Sequence, residues 1–232
     1  MTRVGPAGTK TVLIEDHTLF AESLEIAMTM EGYDVRRLPI PEAAASAPAL
    51  LATVARIRPR IVLLDLDLGA LGDGVPLINP LARMGANVVV VTASMDRARW
   101  GECVRYGARK AMSKTQPLNE ILATVRRINR GLSVMDAAER EELLRLWAEH
   151  RQELQEHRQR LDALTTRERE VLGHLMAGRA VRDIARISVV SEATVRTQVK
   201  SILAKLEVSS QLAAVGMAFH AQWQPPSTPR VS

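Results

Sequence analysis

Only one of the 232 residues is cysteine, Cys103, and only 3 % are aromatic. A single thiol excludes an intramolecular disulfide and suits a reducing compartment. With so few rings, any core must be assembled from Ala, Val, Leu and Ile. No apolar run approaches the roughly 18 residues that a membrane-spanning helix requires. The first ten residues, MTRVGPAGTK, contain no apolar signal core. These absences lead to the expectation of a cytoplasmic protein with no membrane partner. A further absence is local: neither Gly nor Pro occurs between Asp136 and Leu164.

What is present is ordinary in bulk and uneven in distribution. The hydrophobic fraction is 47 % and the charged fraction 25 %, as in globular domains generally. Net charge is +5, which favours a polyanionic partner. Residues 1–131 carry 17 basic and 13 acidic side chains, residues 132–164 carry 5 and 8, and residues 165–220 carry 8 and 5. An acidic middle thus separates two basic ends, and a boundary is expected there. The expected division is 9–131, 132–163 and 164–220, with a Pro- and Ser-rich tail at 221–232 expected to be disordered.

Up to residue 131, strand-like and helix-like segments alternate. Strands are expected at Thr11–Ile14, Asp34–Leu38, Ile61–Leu64, Val88–Val91 and Lys110–Met112, with helices such as Leu19–Glu31 and Leu118–Ile128 between them. Aliphatic runs such as IVLL and VVVV suit strands buried on both faces of a parallel sheet. Five such repeats predict an α/β fold with a doubly wound, five-stranded parallel sheet. Pro39, Pro41 and Pro48 blur the start of the second helix.

The stretch from Asp136 to Leu164 reads as one long linker helix, about 40 Å if fully helical. Trp147, Leu154 and Leu161 recur every seven residues, and so do Leu143, His150, His157 and Leu164. This stripe fits either a helix lying on its own domains or a paired coiled coil. In both readings the helix is expected to carry a signal between the two ends.

Acidic and polar side chains directly follow the strands of the first region. Glu15 and Asp16 follow VLI, Asp65 follows IVLL, Thr92 follows VVVV, and Lys114 follows the last strand and Ser113. In a parallel sheet the carboxyl ends of the strands share one edge, where ligand sites form. Clustered carboxylates repel one another and are stabilised by a hard divalent cation, and magnesium prefers carboxylates, waters and phosphate oxygens. A carboxylate can attack a phosphoryl group and hold it as an acyl phosphate. Lysine and metal neutralise charge on the transferred oxygens, and threonine donates to the new group. Taken singly, Glu15 or Asp67 is explained as well by a turn or a helix cap. The ordered set of Asp16, Asp65, Thr92 and Lys114 is not.

The segments VLIEDH, VLLDLDL, VVVVTAS and GARKAMSK resemble the receiver domain of bacterial response regulators over roughly residues 10–131. The resemblance implies a flavodoxin-like receiver fold with Asp65 as phosphoacceptor, Thr92 as switch hydroxyl and Lys114 as phosphate partner. It implies a Mg2+ site of Glu15, Asp16, Asp65 and the backbone carbonyl of Asp67, with Asp16 the direct ligand of the acidic pair. Three positions depart from the family pattern. The first acid is glutamate rather than aspartate. Leu68-Gly69 replaces the usual Met-Pro, so a more mobile loop is expected. Ala111 stands where a switch Tyr or Phe is usual.

The C-terminal region opens with Thr165 and Glu168 in capping-box spacing, and Gly178 can end that helix. VRDIARI forms a second short helix, SVVS a tight connection, and Ser191 caps a third helix running to about Leu206. Val195, Val199, Ile202 and Leu206 should face the core, leaving Thr194, Arg196, Thr197, Lys200 and Ser201 outward. A basic-polar helix after a short helix and turn is a helix-turn-helix pattern. A merely solvated face would show the same periodicity. The segment from Leu164 to Ala218 resembles the LuxR-type helix-turn-helix, through SEATV, ILAKL and the AAV that follows.

That resemblance places Arg196, Thr197 and Lys200 at DNA-facing positions and makes Ser209–Phe219 a fourth, dimerising helix. Receiver and helix-turn-helix together resemble the NarL/FixJ class of two-component response regulators. The class implies double-stranded DNA and a sensor histidine kinase as partners, a homodimer when active, transcription control by phosphorylation of Asp65, and no enzyme activity of its own. Two other readings remain at this point. The receiver can control DNA binding without phosphorylation. Alternatively, the Asp65-Leu66-Asp67 segment can belong to an aspartyl-phosphate phosphatase, although such enzymes carry it on their first strand.

Overall fold

The computed structural model describes residues 8–40 and 46–225. In chain order the first elements are β1 (Lys10–Ile14), α1 (Thr18–Met30), β2 (Asp34–Leu38), α2 (Ala47–Ile57), β3 (Ile61–Leu64), α3 (Val75–Arg83), β4 (Asn87–Thr92), α4 (Arg97–Arg105), β5 (Lys110–Ser113) and α5 (Leu118–Asn129). The five strands form one parallel sheet in the order β2-β1-β3-β4-β5. Pro48 starts α2 rather than breaking it, because Ser46 caps the helix by accepting from Ala49 N–H at 3.3 Å.

Side-chain alternation along the strands produces the double winding. Val12, Val62 and Val88 pack on one face with Val54, Ile78 and Cys103. Leu13, Leu63 and Val89 pack on the other with Leu24, Met28, Ile121 and Val125. The edge strand β2, sequence DVRRL, buries only Leu38, which is why it lacks the aliphatic run of its neighbours. Cys103 lies wholly inside, and burial, with the neighbouring Glu102 charge adding to it, pushes its thiol up to about 12.

The long helix α6 (Ala137–Asp162) is continuous, and Asp136 Oδ1 accepts from Glu139 N–H at 2.6 Å at its start. By packing, the chain divides into two units at Ala148/Glu149, inside α6 rather than at its ends. The reason lies in its apolar stripe. Val134 joins the core under α1 and α5, Lys110 Nζ donates to the Val134 carbonyl at 3.1 Å, and Leu143 is buried. At Gly101 of α4 a Cβ would overlap the Leu143 carbonyl and crowd Trp147, so the two backbones meet directly. Leu161 and Leu164 instead enter the core of the second unit.

The second unit continues with α7 (Thr166–Met176), α8 (Val181–Ile187), α9 (Glu192–Leu206) and α10 (Gln211–His220). Residues 221–225 do not behave as the tail that composition suggested. Ala221 is buried, Trp223 packs against the helical core, and Trp223 N–H donates to the Ala218 carbonyl at 2.9 Å. An indole ring outweighs the polar, proline-rich residues around it. The rest of that expected tail, 226–232, lies outside the described residues, as does Pro41. Among the described residues no single helix is long and apolar enough to cross a membrane.

Candidate functional site

Strand register brings the acidic residues together. Ile14 and Leu64 are paired partners at the ends of β1 and β3, and Asp65 N–H extends the ladder to the Ile14 carbonyl at 2.9 Å. Glu15 and Asp65 therefore emerge side by side, both buried. Donor oxygens of Glu15, Asp16 and Asp65, with one ring nitrogen of His17, all lie within 4.8 Å of one another. Lys114 arrives from the end of β5, where its backbone N–H donates to the Thr92 carbonyl at 2.9 Å. Its Nζ donates to Asp65 Oδ2 and Glu15 Oε1, both at 2.7 Å.

The charges follow from this geometry. Glu15 is raised above the usual carboxylate range, first by burial and further by the Asp65 charge, against hydrogen bonds from Lys114 and the His17 backbone. For Lys114, burial favours the neutral amine, but the hydrogen bonds and charges of Asp65 and Glu15 outweigh it and hold the ammonium above its usual value. Asp65 Oδ1 accepts from Leu66 N–H at 2.7 Å, which fixes the carboxylate plane.

The other expected pocket residues are placed as follows. Thr92 is buried at the end of β4, and its hydroxyl oxygen accepts from Ser94 N–H at 3.2 Å. Asp67 is exposed and its carboxylate is not in the acidic group, so only its backbone is at issue. Leu68 is fully buried and its N–H donates to the Gly72 carbonyl at 3.0 Å, anchoring the loop in which Leu68-Gly69 replaces Met-Pro. Gly69 has φ +54°, and a Cβ there would press on Asp16 Oδ2. Gly74 must be glycine for closeness, since a Cβ would overlap the Asp65 carbonyl. Ala111 is buried, and in the same core cluster lies Trp100 of α4, whose indole N–H donates to the Ser94 carbonyl at 3.0 Å.

His17, the last residue of VLIEDH, joins the pocket although the resemblance implies no role for it. Its Nδ1 lies 2.8 Å from Asp16 Oδ1 and 3.2 Å from Lys114 Nζ. The signal that could have found it is its place at the carboxyl end of β1, directly after two acids.

In the second unit, α8, the turn 188–191 and α9 form the helix-turn-helix. The turn holds Val189 in the left-handed region at φ +53°, a position that usually takes glycine. Val195, Val199, Ile202 and Leu206 face the core, and Thr194, Arg196, Thr197 and Lys200 are exposed. Arg196 meets Glu192 at 3.2 Å in an exposed i,i+4 pair of little energetic weight. Thr197 donates its hydroxyl to the Ala193 carbonyl at 3.0 Å, which leaves its methyl group for an outside contact. Lys200 has no ion pair among the described residues.

Ser201 departs from its expected outward place. It donates to Glu168 Oε1 at 2.6 Å, and Lys205 donates to Glu168 Oε2 at 2.7 Å. The capping box of α7 is present as expected, and its glutamate also ties α7 to α9.

The sequence profile of the response regulator receiver domain matches residues 11–126, and that of the bacterial regulatory proteins of the luxR family matches residues 162–218. The transcriptional regulatory protein YhcZ of Bacillus subtilis is 28 % identical over 88 % of this chain and 92 % of its own. The response regulator protein VraR of Staphylococcus aureus is 25 % identical over 90 % of this chain and 96 % of its own. Among solved structures, the RcsB response regulator of Salmonella typhimurium gives a TM-score of 0.50 at 18 % identity, covering 90 % of this chain and 98 % of that one. That last likeness is one of fold.

Proposed function

Since the chain belongs to the response regulator family, with a receiver domain and a LuxR-type DNA-binding domain, we propose that phosphorylation of Asp65 controls its binding to specific DNA sequences and hence transcription. The observation that carries this reading is the Lys114 ammonium bonded at once to Asp65 and Glu15 in a buried pocket. Asp65 Oδ attacks phosphorus, the bond from phosphorus to the donor's leaving group breaks, and the aspartyl phosphate forms. The donor is a sensor kinase phosphohistidine or a small phosphodonor. Lys114 then balances the phosphoryl charge, and the Thr92 hydroxyl donates to a phosphoryl oxygen.

The donor set fits Mg2+, since Glu15, Asp16 and Asp65 offer hard carboxylate oxygens within 4.8 Å of one another. Glu15, Asp16, Asp65 and the Asp67 carbonyl would hold it, and it would neutralise charge on the transferred oxygens. In this reading Arg196, Thr197 and Lys200 meet double-stranded DNA, the active form is a homodimer, and the protein works in the cytoplasm as a regulator rather than an enzyme. The working segments are 9–131 for the receiver, 132–163 for the linker and 164–220 for the DNA-binding domain. The transcriptional-regulator name of the Bacillus relative and the response-regulator name of the Staphylococcus relative support it.

Incubation with a small phosphodonor and Mg2+ should give one phosphoryl adduct on Asp65, found by mass spectrometry, and tighter binding to the chain's own operator. Asp65→Asn should give neither. Equal labelling of Asp65→Asn removes the assignment. One observation favours a second reading: Ala111 offers no ring to report on Thr92. DNA affinity that ignores a confirmed Asp65 adduct would select control without phosphorylation.

A further inference from the structure

Three of the five histidines of the chain meet far from the phosphorylation pocket. His150, Glu153 and His157 lie on α6 at i, i+3 and i+7, which is one face of a helix. His220 closes α10 and sits between the two imidazoles of α6, its ring 5.3 Å from that of His150 and 5.6 Å from that of His157, edge to face in both cases. Donor atoms of Glu153, His157 and His220 all fall within 4.8 Å of one another, and His157 Nε2 is 4.0 Å from Glu153 Oε1. Among the described residues, His157 Nδ1 is buried without a hydrogen-bond partner. Buried polar atoms rarely go unpartnered, and an ion is one of the standard explanations when they do.

We propose that Glu153, His157 and His220 form a binding site for a divalent transition cation of the zinc type. Imidazole nitrogens with one carboxylate are donors that suit zinc and its neighbours, whereas the acidic pocket of the first unit offers mostly the hard oxygens that suit magnesium. Zinc ligands at about 2.0–2.2 Å from the ion lie roughly 3.4 Å from one another. Glu153 and His220 are exposed, so rotamer adjustment can close the remaining gap of at most about 1.4 Å. Solvent completes the four-coordinate shell, and His150 packs its ring against that of His220.

The backbone supporting these side chains is already fixed. Leu161, Met217, Ala218 and Ala221 share one apolar cluster, and Arg158 Nε donates to the Ala221 carbonyl at 3.5 Å. Imidazole rings gain little by meeting edge to face, while a cation shared by Glu153, His157 and His220 stabilises all three. The bound ion clamps the carboxyl end of α10 to α6, and α10 is the helix assigned above to pairing on DNA.

The test uses the full chain without a histidine tag, stripped by chelator and held in excess Mg2+ so that the acidic pocket is saturated. Zn2+ is titrated by calorimetry, and Co2+ serves as a spectroscopic probe. The wild type should bind one Zn2+ per chain, raise its Tm with added Zn2+, and give the visible d–d absorption of nitrogen-ligated, four-coordinate Co2+. His157→Ala and His220→Ala should each weaken Zn2+ binding by about 100-fold or more, since a lost ligand exceeds the 10–100-fold cost of a lost supporting group. Glu153→Gln should weaken it less, and His174→Ala should leave it unchanged. His220→Gln, at an exposed position, keeps the test sound if an alanine variant fails to fold. The proposal is overturned if the wild type takes up no Zn2+, or if binding persists unchanged in the His157→Ala/His220→Ala double variant.

Discussion

Glu168 accepts from the Thr165 backbone at 2.7 Å, the Thr165 hydroxyl at 2.9 Å, Ser201 at 2.6 Å and Lys205 at 2.7 Å. Burial alone would raise its pKa, but these donors, Lys205 and Ser201 foremost, hold the carboxyl down to about 2. The unfolded chain returns it to about 4.5, so the folded state gains stability wherever the group is ionised. That gain, on the order of 3 kcal/mol, is complete above pH ~4.5 and is lost as pH falls from there toward 2. Urea midpoints of the wild type should drop across that window more steeply than those of Glu168→Gln, which has nothing there to titrate. At neutral pH Glu168→Ala should cost roughly 2–4 kcal/mol, because Lys205 and the Thr165 N–H lose their acceptor. Half of this network was legible in the sequence. Three-residue spacing announces the Thr165–Glu168 cap, but no local rule joins Glu168 to Lys205, 37 residues further on. Ser201 looked outward because helical periodicity puts it at the border of the buried stripe, and a carboxylate across the border decided its side.

At the scale of elements, Gly101 on α4 sets one rule against another. Propensity alone makes Gly101→Ala stabilising by about 1 kcal/mol. The overlap with the Leu143 carbonyl on α6 reverses the sign, and a net loss of ~1–3 kcal/mol is expected. A thermal melt decides it, and a rise in Tm would show that α4 and α6 are not in backbone contact. For α9, Arg196→Ala and Lys200→Ala should weaken DNA binding. A lost phosphate contact flattens the salt dependence by about one unit of slope for every sequence, whereas a lost bidentate base contact costs ~1–3 kcal/mol at one position. Unchanged binding by the double variant would move the DNA contact to another surface. The strand ends were easy to read, since aliphatic runs stop where Asp65, Thr92 and Lys114 begin. The seven-residue stripe of α6 was read as well, but not what covers it. Leu143 and Leu161 look alike in sequence, and only packing assigns one to the first unit and the other to the second.

At the scale of the whole molecule, α6 passes through the division at Ala148/Glu149 without a break. If the response to phosphorylation travels along it, Gly-Pro insertions at that division should uncouple the two activities, since a proline inside a helix costs ~3 kcal/mol or more. Asp65 labelling and basal DNA affinity should survive, and the phosphodonor-induced change in affinity should vanish. Retention of that change would make α6 a spacer. The buried Cys103 provides an internal measure of such events. With its thiol held near 12 and its side chain enclosed, it reacts only when the first unit opens. Being the only thiol in the chain, it needs no engineering to serve as a clock for that opening. The rate at which an aromatic disulfide reagent colours the solution then counts excursions of one unit in the presence of the other. Phosphodonor should slow that clock and operator DNA should leave it alone, unless the second unit sends its own state back.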